Sequence, residues 1–161
     1  MIIRRAKGGD IDQITQLFDD LELANLVFNL SETTKKFVRR KENAGEIIKT
    51  GLERALNKET NLFLIAELDN KIVGYLKGEI EKRSATKLYD KKLYIRHLIV
   101  SKQYRNMGIG SKLVQEAEAF AKSQKIPFVT LKTSPKNILA NQFYKNLGFE
   151  GIYMEMIKEI D

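Results

Sequence analysis

One segment constrains this chain more than any other, because an apolar strand leads through a short polar turn into a helix that opens on glycine. Residues 98–113 read LIVSKQYRNMGIGSKL. The first N–H groups of a helix have no intrahelical partner, and the helix dipole places about +0.5 charge there, so such a turn can bind a pyrophosphate. Arg105 and Lys112 add cations nearby. The same glycines would also serve an ordinary, tightly packed connection, and this segment alone leaves both interpretations open.

Length and composition predict one soluble globular domain over residues 1–161. The chain has 161 residues, 43% hydrophobic and 30% charged, and its apolar runs fall far short of the ~20 residues of a membrane helix. Cysteine is absent and the N-terminus does not read as a secretory signal, which favours a cytoplasmic protein without disulfides. With a single histidine, His97, and no cysteine, we expect no metal site.

The positive charge is unevenly distributed. The net charge is +7, and residues 82–112 contain nine basic residues against one acidic residue, Asp90. This half of the chain is suited to an anionic ligand, either nucleic acid or a phosphorylated small molecule. No aromatic or helix-turn-helix signature supports nucleic acid. A basic face that serves solubility is the remaining alternative.

The order of apolar patterns predicts an α/β (α+β) fold. Strands are expected at 2–6, 62–68, 72–76, 93–100 and 128–132, with a last strand around 151–157, and a polar loop is expected at 82–92. Helices are expected from residue 10, twice within 31–57, at 108–124 and at 137–146. The unit from 93 to 132 predicts one parallel strand pair in a mixed, mostly antiparallel sheet with helices on both faces.

Two familiar phosphate motifs do not fit the turn. A P-loop needs a glycine, four residues and then Gly-Lys-Ser/Thr, but Gly110 is followed by Ser111-Lys112 and no glycine precedes it at that distance. A dinucleotide fingerprint needs a third glycine where Leu113 stands, and an acidic residue where the second strand ends in Lys132-Thr133. ATP, GTP and NAD are therefore disfavoured.

What remains is Arg-x-x-Gly-x-Gly, formed by Arg105, Gly108 and Gly110. Here the sequence resembles the GNAT superfamily of acetyl-CoA-dependent N-acetyltransferases, whose signature is Gln/Arg-x-x-Gly-x-Gly/Ala in this position. Residues 137–149, NILANQFYKNLGF, are similar to the family's Asn-x-x-Ala-x-x-Phe-Tyr-x-x-x-Gly-Phe segment. Two motifs about 30 residues apart, with a strand between them, make the resemblance specific.

The resemblance implies which residues contact acetyl-CoA. In the family, the strand before the turn splays from its parallel neighbour and its backbone pairs with the pantetheine arm. The expected cofactor-binding residues are Leu98, Ile99 and Val100 on this strand, Arg105, Asn106, Met107, Gly108, Ile109, Gly110 and Ser111 around the pyrophosphate, and Asn137 and Tyr144 beside the arm. Asn106 replaces a common family glycine, and Asn tolerates left-handed backbone better than most residues.

The resemblance also implies catalytic roles. Tyr144 matches the tyrosine that acts as general acid at the thioester sulfur, and backbone N–H near Val100 would stabilise the oxyanion. Several family members carry a Glu as base where Arg96 stands here. An amine with a pKa near 10.4 needs roughly 4.6 kcal/mol of relief to react as the neutral form at pH 7. His97, expected on the face opposite Arg96, and Glu79 on the preceding strand are the two candidates.

The sequence therefore predicts acetyl transfer from acetyl-CoA to a primary amine by direct attack in a ternary complex, since no cysteine can carry the acetyl group. The alternative is a CoA-binding or regulatory module without catalysis. The expected partner is a small-molecule or protein amine, with no nucleic acid and no membrane, and a homodimer remains open. Arg96 and the basic loop disfavour a polycationic acceptor and favour one that carries a carboxylate or phosphate.

Overall fold

Five strands pair in chain order to form one sheet. In this computed structural model residues 1–26 and 30–160 are described, those at 19–26 by their backbone alone. Four strands are successively antiparallel: β1 (Ile2–Arg5), β2 (Asn61–Leu68), β3 (Lys71–Lys82) and β4 (Lys91–Val100). The fifth strand, β5 (Val129–Leu131), is parallel to β4. The predicted mixed sheet with one parallel pair is confirmed.

Helices cover both faces of the sheet, as predicted. They are α1 (Ile11–Leu26), α2 (Glu32–Val38), α3 (Ala44–Leu56), α4 (Ile109–Ser123) and α5 (Ile138–Asn146). Helices α1 and α3 pack on one face, where side chains such as Phe63, Tyr75 and Ile99 are buried. Helix α4 packs on the other face, against Leu64 and Leu76. Strand alternation separates these two cores, since neighbouring residues point to opposite faces.

Helix α4 approaches the sheet most closely at Gly74 on β3. A Cβ at Gly74 would lie 3.0 Å from Ile109 Cγ2 and 3.2 Å from Leu113 Cδ1, both on α4, and 3.3 Å from Ala66 Cβ on β2. Ile109 begins α4, so this contact fixes the height at which the helix starts above the sheet. The turn between β4 and α4 therefore has one end fixed by core packing.

The prediction of a last strand around 151–157 was wrong. Residues 149–160 form no helix or strand, and Ile152, Tyr153 and Met156 are 70–91% exposed. Their apolar character satisfies strand propensity, but a strand also needs a partner, and β5 is only three residues long. The segment instead makes side-chain ion pairs, Lys132 with Glu155 and Lys36 with Glu159.

The hairpin of β3 and β4 is longer than expected. The polar loop predicted at 82–92 shrinks to residues 83–90, because β3 continues to Lys82 and β4 begins at Lys91. Beyond Leu76, charged residues alternate with Gly78 and Ile80, so one face of β3 remains apolar while the other becomes charged. This charged face is part of the site described below.

The close approach at Gly74 predicts an effect on stability. Gly74→Ala should lower the free energy of unfolding by about 1–3 kcal/mol, because the new methyl group overpacks the contact between α4 and the sheet. The matched control is Gly51→Ala in α3, where a Cβ meets nothing within 4 Å. That helical substitution should instead stabilise by about 0.5–1 kcal/mol. Urea denaturation of both variants measures the difference, and equal effects would contradict the packing argument.

Candidate active site

Strands β4 and β5 part soon after they meet. Their register covers only three pairs, from Leu93↔Val129 to Ile95↔Leu131. From Arg96 to Val100, β4 pairs with β3 on one side and with no described strand on the other. This stretch is the splayed strand that the family resemblance implied, and it leaves a cleft between β4 and the chain that follows β5.

The hydrogen-bond pattern decides which backbone groups face the cleft. Ser101 N–H donates to the Val73 carbonyl at 2.9 Å, and Tyr75 pairs with Ile99 in the same register. In an antiparallel ladder every second residue bonds to the partner and the others turn away. Leu98 and Val100 therefore direct their N–H and C=O groups into the cleft. Ile99, which the sequence placed with them, directs its backbone toward β3.

A β-bulge interrupts β4 at Arg96 and His97. The register shifts there, because Lys77 pairs with His97 while Gly78 pairs with Ile95. Arg96 is the extra residue, so it and His97 project from the same face of the sheet. His97 contacts the Phe18 ring at 5.0 Å, and Arg96 bonds to Glu79. The expectation that strand alternation places Arg96 and His97 on opposite faces was wrong. The bulge interrupts the alternation, and no pattern of apolar residues in the sequence marks a bulge.

The turn from β4 to α4 has two left-handed residues. Asn106 has φ +63° and Gly108 has φ +74°, so Asn106 adopts the conformation for which a glycine is common at this position. Lys112 N–H is the first to bond within α4, to the Gly108 carbonyl at 3.1 Å. The N–H groups of Ile109, Gly110 and Ser111 therefore have no intrahelical acceptor, as the anion cradle requires.

Arg105 holds this turn in place. Its Nε donates to the Val100 carbonyl at 3.1 Å, which ties the turn back to the last residue of β4. The side chain is exposed beyond that bond. Arg105 therefore has a structural role in addition to the ligand contact that the sequence predicted.

Gly110 joins the two sequence motifs. A Cβ at Gly110 would lie 3.2 Å from Phe143 Cζ on α5 and 3.9 Å from Val100 Cγ2, whereas a Cβ at Gly108 would meet nothing within 4 Å. The two glycines of the signature are thus required for different reasons. Gly108 adopts a left-handed conformation, and Gly110 leaves room for the packing of α5 against α4.

Helix α5 presents Tyr144 next to this contact. The Tyr144 ring packs edge-on against Phe143 and Phe149, with centroids 5.1 and 5.6 Å away. Burial raises the pKa of Tyr144 to about 12, so its phenol is protonated at neutral pH. Asn137, predicted to contact the cofactor arm, caps α5: its Oδ1 accepts from Ala140 N–H at 3.1 Å.

His97 lies in an apolar and cationic environment. Its Nδ1 is buried and, among the described residues, has no hydrogen-bond partner; the hydroxyl of neighbouring Tyr75 is likewise unpartnered. Burial and the nearby Lys77 and Arg96 lower the pKa of His97 to about 4. The imidazole is therefore neutral at pH 7.

Arg96 is part of an alternating row of charges, here called the charge ladder, that runs along β3 and β4. Its members are Lys77, Glu79, Arg96, Glu81 and Lys92, and each neighbouring pair is joined by an ion pair of 2.7–3.1 Å. Lys77 and Arg96 lower the pKa of the Glu79 carboxyl despite its partial burial. Arg96 is thus a paired cation. The sequence signal was the alternation of Lys77, Glu79 and Glu81 on β3.

Comparison with known proteins matches this chain to one family. The sequence pattern of the Acetyltransferase (GNAT) family matches residues 24–149, which span the sheet from β2 onward, the turn and α5. The chain belongs to the GNAT acetyltransferase family. The family predicted from the two motifs is confirmed.

Relatives and solved structures agree with this assignment. An uncharacterized N-acetyltransferase of Methanocaldococcus jannaschii is 29% identical over 90 residues, 55% of this chain and 53% of that protein. Human N-acetyltransferase 8 is 32% identical over 95 residues, 59% of this chain and 41% of that protein. The chain thus spans about half the length of the curated relatives it matches.

Solved structures share the fold. The BH1408 protein of Bacillus halodurans, in a tetramutant form, has a TM-score of 0.84 at 21% identity over 99% of this chain and all of its own. The aminoglycoside 6'-N-acetyltransferase of Acinetobacter haemolyticus has a TM-score of 0.67 at 19% identity over the full length of both chains. Within the described part of the GNAT chain, no helix is long and apolar enough to cross a bilayer.

The environment of His97 predicts its titration. As the only histidine of the chain, its ring protons give a single NMR titration curve, with a midpoint near 4 in the folded protein and near 6.5 in urea. Because the unfolded chain takes up the proton first, the free energy of unfolding should fall by up to about 3 kcal/mol as the pH drops from 6.5 to 4.

His97→Asn should remove this part of the pH dependence and leave the acid loss due to Asp10 and Glu79, whose carboxyl pKa values are also lowered. A folded-state midpoint near 6.5 would contradict the buried, cation-flanked environment.

Proposed function

We propose that this chain is an N-acetyltransferase that transfers the acetyl group of acetyl-CoA to a primary amine by direct attack in a ternary complex. The observation that carries the proposal is the open edge of β4. There the N–H groups of Leu98 and Val100 and the C=O group of Leu98 face a cleft, and the cleft leads into a turn that supplies the free N–H groups of α4. Family membership supports acetyl transfer.

The cleft and the turn fit acetyl-CoA. The N–H and C=O groups of Leu98 and the N–H group of Val100 offer hydrogen bonds of a missing strand, which suits the amides of a pantetheine arm. The N–H groups of Ile109, Gly110 and Ser111 lie at the positive end of α4 and suit a pyrophosphate. Arg105, Asn106, Met107 and Gly108 shape the turn, and Lys112 adds a cation.

When bound, acetyl-CoA supplies an acetyl group activated as a thioester. Val100 N–H, directed into the cleft, is the preorganised donor that suits a developing oxyanion. Tyr144 is the proton donor, because its buried phenol is protonated at neutral pH. The phenol is a weaker acid than a thiol, whose pKa is near 8.5, so its proton moves to the sulfur only as the C–S bond breaks, with the Tyr144 hydroxyl held at the departing atom.

Between the two candidate bases, the geometry favours His97. Both carboxylate oxygens of Glu79 are already bonded, Oε1 to Lys77 and Oε2 to Arg96. His97 is neutral at pH 7 and directly precedes Leu98 on the open edge. It can accept a proton as attack proceeds, while its low pKa makes it a weak base, so the surrounding cations must also favour the neutral amine.

The alternative function is a CoA-binding or regulatory module without catalysis. Two observations favour this alternative. The pKa of the Glu79 carboxyl is lowered and the pKa of His97 is about 4, so neither candidate base has a pKa near 7. In that case the cleft would hold acetyl-CoA without turnover.

Substitution of Tyr144 distinguishes the two functions. Tyr144→Phe should lower kcat about 100-fold or more and leave the Kd for CoA unchanged, because only the proton donor is lost. Tyr153→Phe is the matched control, since Tyr153 is 91% exposed on the C-terminal segment, and it should keep full activity. Thiol release from acetyl-CoA over a panel of amines measures turnover, and calorimetry measures binding.

A wild-type chain that binds CoA tightly but releases no thiol with any amine would support the non-catalytic module. Equal rates for the wild type and Tyr144→Phe would instead leave acetyl transfer intact and remove Tyr144 as its acid.

A further inference from the structure

The charge ladder lies where the open edge of β4 begins. Strand β5 pairs with β4 as far as Ile95, and Arg96 is the next residue along the strand. The Arg96 side chain is 41% exposed, more than its four partners in the ladder. An acceptor that approaches the cleft along this face of the sheet therefore meets Arg96.

The carboxylates of the ladder are saturated. Glu79 bonds through Oε1 to Lys77 at 2.7 Å and through Oε2 to Arg96 at 2.7 Å. Glu81 bonds through Oε1 to Arg96 at 2.8 Å and through Oε2 to Lys92 at 3.1 Å. All four carboxylate oxygens thus have a cationic partner already. A second ammonium ion arriving with the acceptor would have to displace one of them.

Arg96, in contrast, keeps unused donors. Its Nε and Nη2 donate to the ladder, whereas Nη1 has no acceptor among the hydrogen bonds of the described residues. The guanidinium also lies over the Tyr94 ring, 4.6 Å from its centroid. Two carboxylates and an aromatic face hold the group in one orientation, so binding through Nη1 requires little further ordering.

The net charge of the ladder indicates how much negative charge a bound anion should carry. Lys77, Lys92 and Arg96 carry three positive charges, and Glu79 and Glu81 carry two negative charges, which leaves one positive charge. One carboxylate neutralises it. A phosphate, with about −1.5 to −2 at neutral pH, would leave a negative excess in a partly buried site.

The strand sets the distance between this anion and the reacting amine. Leu98 and Val100, whose N–H groups face the cleft, lie two and four residues beyond Arg96. At ~3.3 Å per residue these positions are ~7 and ~13 Å along β4. An α-amino acid, whose two groups share one carbon, is too short to reach both places.

We infer, on the basis of the proposed function, that the acceptor is an extended amine with a carboxylate ~7–13 Å from its nitrogen, and that Arg96 binds this carboxylate through Nη1. Arg96 is then the residue that determines acceptor specificity. At the position where several family members carry a Glu as base, this chain has an anion-binding group instead.

Three eight-carbon amines test the inference on the wild-type protein: 8-aminooctanoate, octylamine and 1,8-diaminooctane. They share one chain and end in a carboxylate, a methyl group and an ammonium group. We expect kcat/KM, measured by thiol release from acetyl-CoA, to be at least about 10-fold higher for the carboxylate than for either other amine, which corresponds to one charge-assisted hydrogen bond. Glycine should be a poor acceptor.

The Arg96→Gln variant then tests whether Arg96 causes the preference for the carboxylate. The variant should bring the ratio of kcat/KM for 8-aminooctanoate over octylamine to about 1, mainly through KM, because octylamine does not use the guanidinium. Lys87→Gln is the matched control, since it removes the same charge from the exposed loop at 83–90, and it should keep the wild-type ratio. Octylamine serves as an internal reference for any loss of folded protein.

The outcomes separate the two hypotheses. No thiol release with any amine contradicts the proposed function itself. Turnover with octylamine or the diamine equal to or above that with the carboxylate overturns the inference while acetyl transfer stands. A carboxylate preference that survives in Arg96→Gln assigns the anion to another residue and also overturns it.

Discussion

The early parting of β5 from β4 is the constraint on which the rest of the site depends. Three parallel pairs join the two strands, and beyond Ile95 no strand within residues 1–26 and 30–160 pairs with that side of β4. An unpaired strand edge requires a partner for its N–H and C=O groups. The turn between β4 and α4 bounds this open edge at one end and the bulge bounds it at the other, so the two ends of the opening are fixed and differ from each other.

The bulge at Arg96 and His97 makes one end of that opening chemically different from the end at the turn before α4. One extra residue in β4 brings a guanidinium and an imidazole to the same face and leaves Leu98 and Val100 in the plane of the sheet. The charges of β3 then pair with Arg96, and the apolar residues of α1 bury His97. A single register shift thus sets the protonation states of the groups nearest to the cleft.

Much of this could be predicted from residues 98–113 and 137–149, because strong apolar patterns and glycine positions report local structure directly. The strands, the parallel pair and the left-handed Asn106 agree with that expectation. The bulge, the saturation of Glu79 and the role of Gly110 depend on contacts between distant residues, and no spacing within one segment records them. The prediction of a last strand was wrong for the converse reason. Residues 151–157 have strand propensity, but a strand forms only where a neighbouring strand can pair with it.

The short ladder between β4 and β5 has a consequence for how order is distributed along the chain. Three pairs join β5 to β4, and the residues of α5 and its flanks reach the core only as partly buried side chains, whereas β2, β3 and α4 are held by a continuous buried core. Local opening is easiest where buried contacts are fewest. The segment from β5 to α5, which carries Tyr144, should therefore open more easily than the core of β2, β3 and α4, and a molecule that fills the gap beside β4 would tighten that segment first.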